Sequence, residues 1–418
     1  MSSTQLPRLP ESIVAIRPIY FAALLIFLTC AYSAASAQSF RVLHAFTYQD
    51  GGSPTAGVTL DAAGNIYGTA STGGVQNGGS VFELKRSGSS WIFNTLHLFV
   101  LSEGDGSTPL GGVTFAPGGA LVGTTAFGGT GGCYAGCGTV FSLRAPQNSC
   151  RSGNCPWNER IIHNFDPGSG GGAGPKYEEL VFDSAGNMYG TTCDGGGAPN
   201  AGTVFEMTLT GNYTTLHAFT GPDGACPASG VVFDGAGNLF GTSDEGGSAG
   251  VGVAYELSPS GSGSWNLTLL HSFTFTESTP FGGLVADALG NFYGMTTNGN
   301  VYKLTQSNGA WNFSVVIHLP GQRGGFGAMA IDAAGNLYGT QYQGGKYAVG
   351  AVFKLSPNNG SWTYTDLYDF DTVSGAFPEG WVTLDSHGNL YGTATHGGIV
   401  QEQHCGDRGC GTVWEITP

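Results

Sequence analysis

One phrase recurs along the chain: an aliphatic residue, Asp, two spacers, Gly-Asn, an aliphatic residue and Tyr-Gly-Thr. It occupies 60–69 and returns at 182–191, 233–242, 286–295 (Met in place of Thr), 331–340 and 384–393, and a degraded copy at 115–124 fills the one gap. From Gly64 to Gly388 the mean period is about 54 residues, a spacing that signals a repeat architecture rather than two or three unrelated domains.

The third copy shows what one period encodes. A short apolar run, 180–182, meets the turn 183–187, in which Asp can bond the backbone ahead of it and Gly can take the left-handed conformation. A second apolar run, 188–192, leads through a Gly-rich loop to 203–207, which alternates like a half-buried strand, and a further turn at 210–212 precedes 213–219. Four antiparallel strands per period predict the blade of a β-propeller. The last copy supplies only three strands, while Leu43-His44-Ala45-Phe46 matches Leu216-His217-Ala218-Phe219. The expected fold is therefore all-β: a seven-bladed β-propeller of four-stranded antiparallel blades, closed by the N-terminal strand 39–46 completing the last blade. The blades are expected at about 55–99, 109–165, 176–219, 228–273, 281–319, 326–370 and 379–416, within one domain spanning 38–418.

The N-terminus reads as an export signal, residues 1–37. Arg8 and Arg17 precede the apolar run 19–28, and Ala35-Ser36-Ala37 suits cleavage before Gln38. The run is short for a membrane span, so none is expected after cleavage. Eight cysteines follow. Cys133 and Cys137, Cys150 and Cys155, and Cys405 and Cys410 form close pairs in the sequence, and Cys193 and Cys226 fall on one face of neighbouring blades. In an oxidising compartment these read as disulfides, and the expected location is secreted, periplasmic or cell-surface. A zinc site from His404, Cys405 and Cys410 would need a fourth ligand from elsewhere. The net charge of −15 argues against nucleic acid as a partner.

The Gly-Asn-Leu-Tyr-Gly-Thr phrase, the Gly-Gly loop and the Gly-Thr-Val-Phe strand resemble the GloVer-type tandem repeat of secreted bacterial proteins, and the Asp-x-x-Gly-Asn turn is similar to that of NHL propellers. The resemblance implies an exported propeller and brings no established activity.

His44, His97, His163, His217, His271 and His318 share a Leu/Ile-His context on the outermost strands, and read as packing residues spread round the rim. The turn aspartates offer one carboxylate each, short of what calcium takes, and read as turn caps. No Ser-His-Asp elbow, phosphate loop, zinc-protease or dinucleotide motif is present.

Variation is concentrated before each Gly-Gly step, and invariant scaffold beside variable loops is how a repeat protein presents a surface. Phe127, Asp194, Asp244, Glu245, Tyr342, Gln343 and His396 stand there, with Glu178, Glu179, Glu379 and Trp381 nearer the channel and Asp50, Asp105, Asp223 and Glu277 on the interblade links. The leading expectation is a monomeric, non-enzymatic propeller binding a carbohydrate or protein outside the cell. Alternatives are an enzyme at the channel mouth (a polysaccharide lyase, a glycosidase or a lactonase-like hydrolase) and a structural surface-layer component. No cofactor is expected, and the acidic face leaves room for a structural cation in the channel.

Overall fold

The computed structural model describes residues 38–418 apart from 102–103, 147–156, 178, 262 and 399–403. The proposed export signal 1–37, the expected pair of Cys150 and Cys155, and Glu178 lie outside the described residues.

Seven four-stranded antiparallel sheets follow one another round a ring, and in six of them the strands run in sequence order from the centre outward. The first comprises Thr59–Leu60, Ile66–Ala70, Ser80–Ser87 and Ser90–Leu98, and the pattern repeats to the sixth, which ends at Ser361–Asp369. The seventh takes Thr383–Leu384, Leu390–Ala394 and Thr412–Thr417 from the end of the chain and its outer strand, Ser39–Ala45, from the beginning. The expected fold and its closure are thus observed. Helix among the described residues is limited to single 3-10 turns such as Val75–Asn77 and Gly406–Arg408.

The recurrent phrase makes each blade in three ways. At its turn, Asp61 Oδ1 accepts from the Ala63 and Asn65 amides at 2.8 Å, while Oδ2 accepts from Asn65 Nδ2 at 2.8 Å and the Tyr67 hydroxyl at 3.2 Å. Asp183, Asp287, Asp332 and Asp385 repeat this arrangement. Burial opposes ionisation of these four, yet the donors outweigh it and hold the carboxyls below their ordinary range.

At the Gly of Tyr-Gly-Thr, the ring of the third strand lies over the backbone. A β-carbon on Gly68 would fall 2.6 Å from Phe82, and one on Gly392 would fall 2.3 Å from Trp414, so only Gly fits. The Thr, finally, reaches into the next blade. The hydroxyls of Thr69, Thr191, Thr242, Thr340 and Thr393 donate to the carbonyls of Gly111, Ser229, Gly282, Gly380 and Ala56 at 2.6–3.4 Å. Each acceptor stands five residues before the turn position of its own blade.

The apolar interior is divided in the same way. Seven clusters of buried side chains each draw on two successive blades, as where Phe46, Val58, Phe82, Tyr391 and Val413 join the seventh to the first. Second strands such as Ile66–Ala70 are buried at every residue, because both faces of a blade are covered by neighbours.

Thr393→Val keeps the shape of the side chain but strands the Ala56 carbonyl. Chemical denaturation is expected to show a loss of about 1–3 kcal/mol, with the far-UV spectrum unchanged.

Candidate active site at the channel mouth

The variable dipeptides are not free loops. Phe127 and Asp194 lie in two-residue strands paired with Ser107 and Ala173 of the incoming link, and Thr72, Glu245 and His396 make single bridges to Gly52, Ala225 and Ala376. This extra ladder fixes the link, whose residue before Pro is left-handed at Ser53, Thr108, Cys226 and Phe377. Backbone held so far from its favoured region persists only where surrounding structure over-determines it.

The chain then turns to the axis, and two positions ring it. Six residues before the turn position stand Thr55, Leu110, Tyr177, Ala228, Phe281, Phe326 and Glu379; four before it stand Gly57, Gly112, Glu179, Gly230, Gly283, Ala328 and Trp381. The second ring is small except at Glu179 and Trp381, which take the space the others leave. A β-carbon on Gly57 or Gly112 would fall 2.4 Å from the Trp381 indole, so that ring lies against two glycines of other blades. Glu179 Oε1 reaches the Thr59 hydroxyl at 3.4 Å. Above them opens a cavity of about 200 Å³ lined by Thr55, Tyr177, Glu179, Ser229, Phe326, Glu379 and Trp381.

An arc of aromatic rings borders this mouth. Tyr177 meets Phe281 at 5.4 Å between centroids, Phe281 meets Phe326 at 4.9 Å, and Phe326 meets Tyr342 at 4.8 Å. Tyr342 meets Phe377 at 5.1 Å, and Phe377 meets His396 at 5.6 Å. The Cys193–Cys226 disulfide packs behind Tyr177 and Phe281 with Ala228.

Three carboxyls here are held away from their ordinary state. Burial pushes Glu379 up to about 7, with the neighbouring Thr395 hydroxyl opposing it. Burial likewise pushes Asp244 up to about 7; the charge of Glu245 adds to the effect, and its own amide and Lys176 oppose it. Glu179 is pushed up to about 7 by burial against the pull of Thr59. Tyr177 is raised by burial and by the charges of Glu379, Tyr342 and Asp244, which places all four in one electrostatic neighbourhood. Burial and then Arg408 hold His396 down, so its ring is neutral at pH 7. Asp244 Oδ1 and His396 Nδ1 are buried without a hydrogen-bond partner. Such groups are rare in folded proteins and ask for a missing partner.

Of the residues singled out from sequence, Glu179, Glu379 and Trp381 line this cavity, Tyr342 and His396 join it through the aromatic arc while lining neighbouring grooves, and Asp244 reaches it through its charge on Tyr177. Phe127, 46% exposed, Asp194 and Glu245 sit in the outer ladder, and Gln343 lines a neighbouring groove with Arg323 and Asn298. The link acids are not ligands on this face: Asp50, Asp223 and Glu277 each bond a rim histidine, His44, His217 and His271, at 3.1 Å. Those imidazoles are therefore paired with carboxylates rather than with backbone. His318 is one residue out of register with them, since Ile317 holds the equivalent place opposite Val301. Tyr177, Phe281, Phe326 and Phe377 escaped the sequence reading, which compared copies at the Gly-Gly step; comparing them at the sixth residue before the turn would have found the first three.

Of the four disulfides expected from sequence, Cys133–Cys137, Cys193–Cys226 and Cys405–Cys410 are formed. The fourth expected pair, Cys150 and Cys155, lies outside the described residues. The Cys405–Cys410 bond removes the thiolates a zinc site at His404 would need. Among the described residues, the one set of three His, Cys, Asp or Glu side chains close enough to share an ion is His97, Asp105 and Glu159, away from the mouth.

The sequence profile of the Gloeobacter/Verrucomicrobia repeat matches residues 133–300 and 297–418. No curated protein matches the chain. Among solved structures, it is similar to a candidate 6-phosphogluconolactonase from Bacteroides uniformis, at 13% identity and TM-score 0.49 over 82% of this chain and 96% of that one. A gluconolactonase from Xanthomonas campestris matches at 13% identity and TM-score 0.40 over 72% and 90%. A candidate glucose dehydrogenase from Thermus thermophilus matches at 13% identity and TM-score 0.43 over 91% and 100%. These likenesses are of fold. The expectation of a non-enzymatic binding propeller is corrected at this point: the solved propellers of similar fold carry enzyme names, and the mouth holds carboxyls that burial raises to about 7. The geometry, not those names, carries the enzymatic alternative.

Replacing Cys193 and Cys226 by Ala opens a loop with a sequence separation of 33. Denaturation of this double variant is expected to show a loss of about 3–4 kcal/mol, with Tyr177 fluorescence changed by loss of its backing.

Proposed function

The chain belongs to the Gloeobacter/Verrucomicrobia repeat family, and we propose that it is a lactonase-like hydrolase of a small, single-ring carbohydrate ester, with Asp244 and Glu379 as its general acid–base pair. The observation behind this reading is that Glu379 lines the aromatic-walled cavity beside Tyr177, that Asp244 lies close enough to act on the same Tyr177 by its charge, and that burial raises both carboxyls to about 7. A catalytic acid or base works best with a pKa near the working pH, and clefts that shift carboxyls this far are where such chemistry is found.

The size of the cavity narrows the substrate. At about 200 Å³ it is smaller than the roughly 300–1,000 Å³ typical of sites for drug-sized ligands, which favours one ring over a polysaccharide chain. The aromatic arc suits the apolar face of a sugar, and Thr395, His396 and Ser229 offer hydrogen bonds to its hydroxyls. In the proposed step, the ionised member of the pair takes a proton from water as the water oxygen bonds to the ester carbonyl. The ring C–O bond then breaks, and the protonated member gives its proton to the departing alkoxide, leaving a hydroxy acid. Tyr177, kept protonated by burial and then by the surrounding negative charge, is the donor available to the carbonyl oxygen. The three disulfides support a working place outside the cytoplasm, as a secreted or periplasmic protein.

Hydrolysis of a panel of aldonolactones, followed by acid release, is expected to give a bell-shaped pH profile with its maximum near pH 7. Glu379→Gln and Asp244→Asn should each lower kcat by about 10²–10⁴. Absence of lactone turnover by folded protein across the neutral range would reject the reading, and cleavage of glycosides alone would move it to another reaction.

Stability carries the same signature. A carboxyl raised to about 7 in the folded state and near its ordinary value of about 4.3 when unfolded binds more protons when folded, so stability falls as pH rises between the two. Glu379→Gln is therefore expected to have a higher Tm than the parent at pH 8 and to lose that advantage at pH 4.

A further inference from the structure

The outer strands of successive blades meet in a repeated seam. His44 stacks on Phe93 of the next blade at 3.8 Å, His163 on Tyr213 at 4.6 Å and His271 on Phe313 at 3.9 Å, while Tyr368 stacks on Phe40 at 3.5 Å. Phe93, Tyr213 and Phe313 hold one register position, opposite Leu84, Met207 and Leu304 of their own third strands. In the second blade that position, opposite Leu143, is Glu159. A carboxylate thus stands where these seams have a ring.

The substitution changes the histidine facing it. His44, His217 and His271 each lie 3.1 Å from their link carboxylate, but His97 Nε2 is 3.8 Å from Asp105 Oδ2 and 3.4 Å from Glu159 Oε2. The three side chains are 16%, 10% and 18% exposed, and their ligand atoms all lie within 4.8 Å of one another. His97 Nε2 and Glu159 Oε1 are buried with no hydrogen-bond partner. Asp105 is meanwhile fixed by the Val100 amide at 2.9 Å and the Gly106 amide at 2.7 Å. Ion pairs among the described residues all involve histidine, so no Lys or Arg neutralises this trio.

We propose that His97, Asp105 and Glu159 form a divalent transition-metal site, of the zinc type, that staples the first blade to the second. One imidazole and two carboxylates are a ligand set such an ion takes, with water completing the shell. Tetrahedral bonds of about 2.0–2.1 Å separate neighbouring ligands by about 3.3 Å; here His97 Nε2 stands 3.4 Å from Glu159 and 3.8 Å from Asp105, and the three atoms would draw together from within 4.8 Å. An ion would neutralise two carboxylates that otherwise share a desolvated seam, and would satisfy both orphaned atoms.

The test uses the full-length protein, freed of metal with a chelator and desalted, then titrated with Co²⁺ and Zn²⁺. The expected result is one equivalent of Co²⁺ with visible d–d absorption, its displacement by Zn²⁺, and a Tm raised by several degrees. Glu159→Phe installs the ring used by the sister seams and so keeps the fold; it should abolish the absorption and the Tm rise. Glu159→Gln should weaken binding at least tenfold, and His217→Gln, at an ordinary seam, should leave it unchanged. Failure of the parent protein to retain an equivalent of either metal, or undiminished binding by Glu159→Phe, overturns the proposal.

Discussion

The arrangement of the whole ring rests on one hydrogen bond made again and again: a Thr hydroxyl at the end of a second strand donating to a carbonyl of the following blade. A blade is apolar on both faces and cannot bury either by itself, so blades must stack. Apolar contact alone sets no fixed register between two sheets. The hydroxyl does, because a buried carbonyl left unpaired is costly and only one approach satisfies it. The carbonyl chosen lies between the two residues that ring the axis. The bond that aligns neighbours therefore also aims Glu379 and Trp381, which flank Gly380, and Thr55 and Gly57, which flank Ala56. In the fifth blade Met295 replaces the Thr, and its sulfur instead accepts from the Gly325 amide at 3.5 Å.

Stability and chemistry are separated by position. The turn Asp is bonded in six copies and the Thr in five, Thr124 and Met295 being the exceptions. At the mouth the same scaffold holds Asp244, Glu379 and Glu179 in surroundings that disfavour their charge, and leaves His396 short of a partner. Local rules are broken at the mouth and again at the His97–Glu159 seam, and such departures are expected where a protein works rather than where it merely packs.

The fold was legible because its determinants are residue types at fixed spacing. Asp-x-x-Gly-Asn-x-Tyr-Gly-Thr specifies a capped turn, a close approach and an interblade bond, all local to a ten-residue window. The unpaired Leu-His-Ala-Phe strand at the start likewise told where the ring closes. The site was less legible because its positions are defined by where they point and not by what they are. Thr55, Leu110, Tyr177, Ala228, Phe281, Phe326 and Glu379 share a place and no chemistry, so only alignment on the turn Asp reveals them as a ring. The rim histidines were read as packing, which their stacking supports, yet His44, His217 and His271 each have an acid six residues on. That spacing was visible; the effect of Glu159 on His97 needed the strand register, which no linear reading supplies.

Closure through the seventh blade has a consequence for how the molecule is made. The bond from Thr393 to Ala56 spans 337 residues of sequence, and the outermost strand of that blade comes from the opposite end of the chain. Contact order is therefore low inside each blade and extreme at a single seam. Blades can assemble one by one as the chain emerges, but the first strand must wait, edge exposed, until the last has been synthesised.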